Sequence, residues 1–490
     1  MSISDTQPDS TRGAVTRRET AEGCAATRTE RPGVYIKTFG CQMNEYDSQK
    51  LARLLERDYA AVDRPEDARL VIINTCSVRD KPEQKLYSLL GEMRELKESR
   101  PDLMVGVGGC VAQQEGEKIV KRSDVVDFVF GTHNLSLVPS LIDIRKGGGR
   151  PQVAVDYRDE WEELPLGFRA EDHRVSVFIS ISRGCNKNCT YCIVPTTRGR
   201  EVSRALPEIL KEVRIAAHRG VREVVLLGQT VNSYGLDFSP RRTFVELLEA
   251  VAAVEGIERI RFTSPHPQEI RQDFIDLVTR NQKVSHHVHM PLQSGSDRIL
   301  KAMNRNYRRE KYLGIIAALK ERVPDMAITT DIIVGFPGET EEDFAQTLDV
   351  LERVRFDSSY SFVFSPRPGT VAATLPGQLP EEEKMRRLKI FQARQDEITT
   401  ERLNAWVGQE VELLLDGPSY SHPDRLVGRS SQNITVNLTT AEPDLKPGMV
   451  IAARVVEVAR YTLRAEWIRR SSAGMGGSDI LRLGGRRGQD

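Results

Sequence analysis

Short apolar runs rich in β-branched residues alternate with amphipathic stretches along most of the chain. Strands that alternate with helices in this way form βα units and a mostly parallel sheet. The pattern predicts an α/β fold, with an amino-terminal parallel-sheet domain at residues 32–148 and a partial (β/α)6 barrel at residues 170–402. The strand-like runs are 34–38, 70–74, 103–107 and 126–130, then 175–181, 224–227, 257–262, 287–290, 328–334 and 359–364, with helical patterns such as 48–56 and 83–97 between them.

The pattern changes in the last quarter of the chain. Between residues 405 and 470, short β-rich runs are separated by Gly, Pro, Ser and Asn, which predicts a small β-barrel. Residues 1–31 and 471–490 are polar and lack periodicity, so burial could not offset their ordering entropy, and both are predicted to be disordered tails. Cys24 lies in the first tail with no strand before it, and we assign it no role.

Composition narrows the class of protein. The chain has 490 residues, 39% of them hydrophobic, with 70 basic and 70 acidic residues. No apolar run approaches the ~18 residues that cross a bilayer, and no apolar segment precedes a cleavage site, so we expect a cytoplasmic protein with no membrane partner. Seven cysteines are too few for a secreted disulfide scaffold, which favours metal ligands or catalytic groups.

Three cysteines are concentrated in one loop, directly after the first strand-like run of the predicted barrel. Cys185, Cys189 and Cys192 form a CxxxCxxC pattern. An iron-sulfur cubane normally takes four thiolates and a closed zinc site takes four ligands, so three thiols leave one coordination position open. The alternative is that they are three of four zinc ligands with a histidine as the fourth, although zinc sites usually show paired CxxC elements.

Three further cysteines each follow a strand-like run of the first region. Cys41, Cys76 and Cys110 are separated by 35 and 34 residues, about one βα unit each. Because the carboxyl ends of parallel strands meet at one edge of a sheet, we expect these thiols to converge there and to hold a second cluster. The alternative is that each is a small, buried core residue.

The CxxxCxxC loop, with Tyr191 before its last cysteine, resembles the signature loop of the radical S-adenosylmethionine (radical SAM) enzymes. With the second cysteine set and a terminal barrel similar to TRAM domains, the chain resembles the radical SAM methylthiotransferases over about residues 32–470. The segments that carry this resemblance are GTHN (131–134), SRGC (182–185), TRGREVSR (197–204), GQTVNSY (228–234) and VGFPGET (334–340).

The resemblance implies a reaction and its cofactors. The tRNA-modifying members methylthiolate carbon 2 of N6-isopentenyladenosine at position 37 of tRNA, with one S-adenosylmethionine as methyl donor and a second as radical source. Two 4Fe-4S clusters are implied, of which the CxxxCxxC cluster makes the radical and the cluster at Cys41, Cys76 and Cys110 carries the sulfur. The implied partners are a tRNA with isopentenyladenosine near its anticodon, a reductant such as flavodoxin or ferredoxin, and a donor of sulfur or clusters.

The resemblance also implies cofactor-binding residues outside the cysteines. Gln229, Asp331 and Gly335 lie where family members bind S-adenosylmethionine, and His289 faces the same predicted pocket. Each of these positions is also consistent with ordinary polarity at a strand end, and the glycine with a tight turn.

The RNA-binding residues predicted from the sequence are Arg198, Arg200 and Tyr234. A base of an anticodon loop must be unstacked before it reacts, and aromatic or guanidinium surfaces receive such bases. Charge reversal at the two arginines is therefore expected to weaken tRNA binding in a salt-dependent way.

Two other functions compete with this one. Related methylthiotransferases modify threonylcarbamoyladenosine in tRNA or an aspartate of a ribosomal protein, and fold cannot separate them. A function of another class is a non-catalytic, metal-containing RNA-binding protein. The TRGREVSR segment favours the isopentenyladenosine enzyme.

Overall fold

The structure is a computed structural model that describes residues 31–77, 82–162, 164–168, 172–419, 422–423, 425–439 and 444–470. The chain forms two compact units. The first ends at Asp172 and also includes Thr196–Gly199, and the second comprises His173–Pro195 and the chain from Arg200 onward. Both predicted tails, apart from residue 31, lie outside the described residues, as does Cys24. The finer domain boundaries stay a prediction, because the partial-barrel and terminal-barrel regions share the second unit.

The first unit contains a six-stranded parallel sheet. Its strands are β1 (Gly33–Thr38), β2 (Ala60–Ala61), β3 (Leu70–Thr75), β4 (Met104–Gly109), β5 (Phe128–Phe130) and β6 (Gln152–Ala154), and its helices are α1 (Gln42–Leu55), α2 (Pro82–Ser99), α3 (Cys110–Glu115), α4 (Glu117–Arg122) and α5 (Val138–Lys146). The strand order is β2-β1-β3-β4-β5-β6, and every pair is parallel. The predicted parallel α/β architecture is confirmed.

The sequence of β3 explains its central position. All six of its residues, LVIINT, are buried. Leu70 and Ile72 belong to the apolar core on one face of the sheet, and Val71 and Ile73 belong to the core on the other. Because successive side chains of a strand point to opposite faces, a continuous apolar run suits a strand that is covered on both sides.

The larger part of the second unit is the partial barrel. Its strands are β7 (Ser176–Ser180), β8 (Ser182–Arg183), β9 (Val202–Ser203), β10 (Glu223–Leu227), β11 (Arg259–Phe262), β12 (His287–His289), β13 (Ala327–Val334) and β14 (Ser358–Val363). The short helix α6 (Val194–Arg198) begins in this unit, but its residues from Thr196 onward belong to the first unit. The other helices are α7 (Leu206–His218), α8 (Phe244–Ala252), α9 (Gln272–Arg280), α10 (Asp297–Ala302), α11 (Arg309–Arg322), α12 (Glu341–Val354) and α13 (Glu381–Asn404). The six main strands form two parallel sheets, β7-β10-β11 and β12-β13-β14, and a parallel bridge between Ile260 and Val284 lies at their junction.

The end of the chain forms a closed five-stranded barrel, as predicted. Its strands are β15 (Glu410–Pro418), β16 (Leu426–Ser430), β17 (Thr435–Leu438), β18 (Val450–Ala459) and β19 (Thr462–Arg470), in the order β15-β16-β17-β19-β18. Arg259, the first residue of β11, donates to Arg429 O at 2.7 Å, and the His286 amide before β12 donates to Ser431 Oγ at 2.9 Å. The terminal barrel therefore packs where the strands of the partial barrel begin.

Among the described helices, none combines the length and the apolar character needed to cross a membrane.

Candidate active site

Three cysteines of the first unit lie at the carboxyl ends of neighbouring strands. Cys76 directly follows β3, and Cys110 directly follows β4. The last residues of these strands, Thr75 and Gly109, are paired in register, so the two cysteines leave the sheet side by side. Cys41 follows β1, which flanks β3 on its other side. The expected convergence of three strand ends is present.

The loop that carries Cys41 packs directly against Cys76. Gly40 has a φ of 112°, and a side-chain carbon at this position would lie 2.3 Å from Cys76 Cβ and 2.7 Å from its Sγ. Only glycine allows both this backbone conformation and this approach. Thr75 Oγ1 accepts from the Val111 amide at 3.1 Å, which ties the end of β3 to the first turn of α3.

Asn44 connects the Cys41 loop to Arg198. The Cys41 thiol donates to Asn44 Oδ1 at 3.5 Å, and Asn44 Nδ2 donates to the last carbonyl of β3 at 2.7 Å. Arg198 is 6% exposed and donates from Nη2 to Asn44 Oδ1 at 3.1 Å and to Asp47 Oδ2 at 3.0 Å. Burial alone would lower the pKa of this guanidinium, but the neighbouring Cys110, Asp47 and Cys41 groups outweigh burial and raise it.

The CxxxCxxC loop of the second unit is held by contacts to the end of α10. Thr190 donates its amide to Met303 O at 3.0 Å and its hydroxyl to Ala302 O at 2.9 Å. Asn304 Nδ2 donates to Asn188 O at 2.7 Å. The loop therefore has a defined conformation past the carboxyl end of the first barrel strand, as the sequence predicted.

The thiols of this loop have polar neighbours. Cys185 Sγ lies 3.4 Å from Thr230 Oγ1, and Arg305 Nη1 lies 3.6 Å from Cys189 Sγ. Burial raises the pKa of the Cys185 thiol, and it raises the pKa of Cys192 to about 12. Because metals bind the thiolate, iron must displace protons from this loop when it binds.

The three thiols at each of the two sites suit an iron-sulfur cluster better than a single metal ion. Among the described residues, no three His, Cys, Asp or Glu side chains converge closely enough to hold a single metal ion. A four-iron cubane has no such requirement, because each thiolate ligates a different iron. Three thiols at each site also leave one iron without a protein thiolate.

The three residues predicted to bind S-adenosylmethionine differ in their hydrogen bonds and packing. Gln229 Oε1 is buried and has no hydrogen-bond partner among the described residues, so it is an acceptor open to a ligand donor. Asp331 Oδ1 lies 3.3 Å from His289 Nε2. Gly335 has a φ of 71°, and Lys384 Cγ lies 2.2 Å from the place of a side-chain carbon, so local packing already requires a glycine there. Gln229 is the residue whose surroundings point most directly to a ligand.

Residues of β13 alternate between the outer and inner faces of the partial barrel. Thr330 is fully buried, and Tyr312 of the covering helix α11 donates to its Oγ1 at 3.5 Å, so Thr330 lies on the outer face. Asp331 and Ile333 are only partly buried and lie on the opposite, inner face.

Two aromatic side chains of β14 share this inner face. Tyr360 is paired in register with Asp331, and Phe362 with Ile333. The two rings are 53% and 41% exposed, and the Tyr360 ring centre lies 5.9 Å from that of His289. An exposed aromatic pair inside the barrel is available to a planar ligand.

Two of the three residues predicted to contact RNA are buried. Arg198 is buried beside Asp47, and Tyr234 is 1% exposed with its hydroxyl donating to Arg204 O at 2.9 Å. Neither side chain is open to a base, which corrects the prediction for these two residues. Arg200 is exposed, and its contact with RNA stays a prediction.

Arg305 and the aromatic pair of β14 were not predicted from the sequence as residues of the site. Tyr360 and Phe362 are two residues apart in the strand SSYSFV. This spacing predicts that both side chains lie on the same face of the strand. Arg305 offers no local signal, because only folding brings it to the CxxxCxxC loop.

Three family models match separate parts of the chain. The Radical SAM superfamily matches residues 179–351, Uncharacterized protein family UPF0004 matches residues 33–131, and the TRAM domain matches residues 405–468. These matches coincide with the partial barrel, the first parallel sheet and the terminal barrel.

Curated relatives match nearly the whole chain. A tRNA-2-methylthio-N(6)-dimethylallyladenosine synthase of Burkholderia multivorans is 45% identical over 446 residues, which cover 89% of this chain and 97% of the relative. The synthase of Ralstonia nicotianae is 46% identical over 454 residues, which cover 90% and 99%. The chain belongs to this synthase family. As a member, it is a radical SAM methylthiotransferase, with an iron-sulfur cluster and S-adenosylmethionine as cofactors.

A solved structure is similar to this chain in fold. The radical S-adenosylmethionine methyltransferase TsrM from Kitasatospora setae, with tryptophan and a SAM analog bound, aligns with a TM-score of 0.52 at 16% identity, over 70% of this chain and 75% of that one. At this identity the likeness concerns the fold alone.

Proposed function

We propose that the protein attaches a methylthio group to carbon 2 of N6-isopentenyladenosine, also called dimethylallyladenosine, at position 37 of tRNA. The observation that carries this proposal is the identity of about 45% to synthases named for this product, over nearly their full length. The TRAM match at residues 405–468 agrees with this family, and the names of the relatives favour the tRNA substrate over the protein substrate.

In this proposal the CxxxCxxC loop would hold the cluster that binds S-adenosylmethionine. Together they would supply an organic radical, which suits an aromatic C–H position that acid–base chemistry cannot activate. Arg305 keeps a positive charge beside Cys189, and Gln229 offers a buried acceptor to a cofactor donor. These residues bind and orient, and the cofactor supplies the reactivity.

The first unit holds the second 4Fe-4S cluster in this proposal. Cys41, Cys76 and Cys110 would hold it, and it would supply the sulfur of the methylthio group. The support is the placement of three thiols at adjacent carboxyl ends of a parallel sheet, where open α/β folds bind their ligands.

The target base binds on the inner face of the partial barrel. Tyr360 and Phe362 present exposed rings there, and His289 contacts the first of them. Aromatic side chains receive unstacked bases, and their apolar rings also suit an isopentenyl group. The protein acts in the cytoplasm, with a flavodoxin or ferredoxin as reductant and a separate protein as donor of sulfur or clusters.

Iron analysis and nucleoside mass spectrometry test this function together. Anaerobically reconstituted protein should hold about eight irons per chain, and about four after alanine replacement of either cysteine set. Transfer RNA from a strain without the gene should lack the methylthio-isopentenyl nucleoside, and the wild-type gene should restore it.

Other results would favour the competing functions. A methylthio group missing from threonylcarbamoyladenosine or from a ribosomal aspartate, with the isopentenyl nucleoside intact, would move the substrate to a related enzyme. A colourless, zinc-containing preparation that releases no 5′-deoxyadenosine on reduction with S-adenosylmethionine would identify a binding protein.

A further inference from the structure

Arg198 belongs to the first unit, although it lies only six residues after Cys192, which belongs to the second unit. We propose that Arg198 is a positioning residue for the site formed by Cys41, Cys76 and Cys110. It fixes the Cys41 loop and balances the negative charge of the cluster there. This inference rests on the proposed second cluster.

The backbone of Arg198 is held on both sides. Thr132 Oγ1 donates to Thr197 O at 2.8 Å, and His133 Nε2 hydrogen-bonds with Arg198 O at 2.9 Å. Gly199 has a φ of 72° and leaves room for His133, whose Nε2 would lie 3.4 Å from a side-chain carbon there. The first unit therefore fixes the main chain from which the guanidinium extends.

The side chain of Arg198 reaches the cysteine site through Asn44. Its Nη2 donates to Asn44 Oδ1, and this oxygen lies 3.5 Å from the sulfur of Cys41. The same Nη2 donates to Asp47 Oδ2 at 3.0 Å, so Arg198 connects two positions on the first turns of α1. Cys41 itself is exposed and immediately precedes α1. Its position therefore depends on contacts of this kind more than on core packing.

The positive charge of Arg198 lies among several negatively charged groups. Three thiolates and the Asp47 carboxylate place several negative charges around a mostly buried site, and Arg198 is the cation that the described contacts bring to them. A fixed positive charge stabilises the electron-rich reduced form of a cluster more than its oxidised form. Removal of Arg198 should therefore make reduction harder and weaken retention of iron.

The test isolates the first unit's cluster within the full chain. Cys185, Cys189 and Cys192 are replaced by alanine, and Arg198→Met and Arg198→Lys are made in this parent. Iron per chain after desalting and the midpoint potential by EPR-monitored titration are measured. Arg64→Met is the matched control, because Arg64 forms an exposed pair with Asp67 elsewhere in the same unit.

We expect Arg198→Met to shift the potential to a more negative value and to weaken iron retention about 10-fold, as loss of outer contacts to metal ligands does. Arg198→Lys should keep most of the potential, because it keeps the charge, but should retain iron less well than the parent. Asp47→Asn, which removes a negative charge, should shift the potential in the opposite direction. Arg64→Met should change neither quantity.

The outcomes distinguish the presence of the second cluster from the role of Arg198. A parent that holds no iron would overturn the second cluster itself. A parent with a cluster whose potential and iron retention are the same after Arg198→Met would overturn the role of Arg198 alone. If Arg198→Met fails to fold, Arg198→Lys decides, and iron retention equal to that of the parent counts against the proposal.

Discussion

Each cysteine set lies beside one buried arginine of its own unit. Arg198 reaches the first set through Asn44, and Arg305 contacts Cys189 of the second set directly. A guanidinium keeps its proton when it is buried, whereas a buried lysine readily loses its charge. Arginine therefore supplies a permanent positive charge next to thiols that become thiolates when iron binds. Cysteine spacing predicted both ligand sets, whereas the neighbouring arginines are brought to them only by the folded chain.

Replacement of Tyr360 by alanine tests the base-binding face at the level of one residue. Stacking of a base on an aromatic side chain contributes about 1–3 kcal/mol, so we expect the KM for isopentenyladenosine-containing tRNA to rise roughly 5- to 150-fold. Release of 5′-deoxyadenosine without tRNA should stay at the wild-type rate, because Tyr360 is not among the residues proposed to hold the cluster or S-adenosylmethionine. Steady-state assays with and without tRNA measure both quantities.

Ile390→Ala is the control for this prediction. Ile390 is also an exposed apolar residue of the second unit, but it lies on the surface of α13. Its loss should leave the KM unchanged. Equal KM values for wild type and Tyr360→Ala would remove the aromatic pair from the substrate site.

The exposed Arg200 carries the remaining sequence prediction about RNA contact. Because a phosphate contact releases counterions, Arg200→Glu should weaken tRNA binding and reduce the slope of log K against log salt by about 1. Binding is measured by filter retention at several salt concentrations. Lys121→Glu, an equal charge change on the exposed face of α4, is the control. A salt slope that stays at the wild-type value would show that Arg200 does not neutralise a phosphate.

At the scale of elements, the sequence predicted strands better than the start of α1. The run at 70–74 matches β3 almost residue for residue, because a strand buried on both faces is apolar throughout. The helical pattern at 48–56 missed the first turns of α1, which begins at Gln42. Those turns carry Asn44, a polar residue that is buried because it hydrogen-bonds with Thr75 and Asn74. Apolar periodicity cannot reveal a turn that is buried through polar contacts.

The first turn of α12 gives a prediction about acid stability. Desolvation opposes ionisation of Asp343, but hydrogen bonds from Arg298, Ser296 and Thr340 outweigh it and lower its pKa to about 2. The unfolded value is about 3.9, so the carboxylate stabilises the fold fully above about pH 4 and loses this contribution, about 2 kcal/mol, as the pH falls towards 2. Asp343→Asn should therefore be less stable than wild type at pH 5, and the difference should shrink on acidification.

Urea unfolding at pH 5, 4, 3 and 2 measures this difference. Glu342→Gln changes the neighbouring acid, which is exposed on the same helix, and should leave the acid dependence of the wild type in place. A gap between wild type and Asp343→Asn that stays constant over this range would contradict the prediction.

At the scale of the molecule, the second unit places its two functional modules at opposite ends. The cysteine loop lies past the carboxyl end of β7, whereas the terminal barrel contacts the amino ends of β11 and β12. The longest strand of the partial barrel, β13, has eight residues and spans roughly 26 Å. A tRNA that contacts the terminal barrel and presents a base at the cysteine loop must therefore extend along the outside of the partial barrel.

The junction between the two barrels depends on a buried carboxylate. Glu223 at the start of β10 lies 2.6 Å from Arg261 Nη2 and 4.0 Å from Arg259 Nη1, and burial, opposed by Glu223, lowers the pKa of Arg261 to about 10. Glu223→Gln leaves two buried guanidinium groups without this partner, so we expect a loss of about 3–5 kcal/mol and earlier separation of the terminal barrel on heating. For this unit, we expect calorimetry to resolve two transitions in the variant and one in the wild type. Glu457→Gln is the control, because it breaks an exposed ion pair within the terminal barrel and should preserve the wild-type unfolding profile. A wild-type profile for Glu223→Gln as well would show that the junction does not depend on this carboxylate.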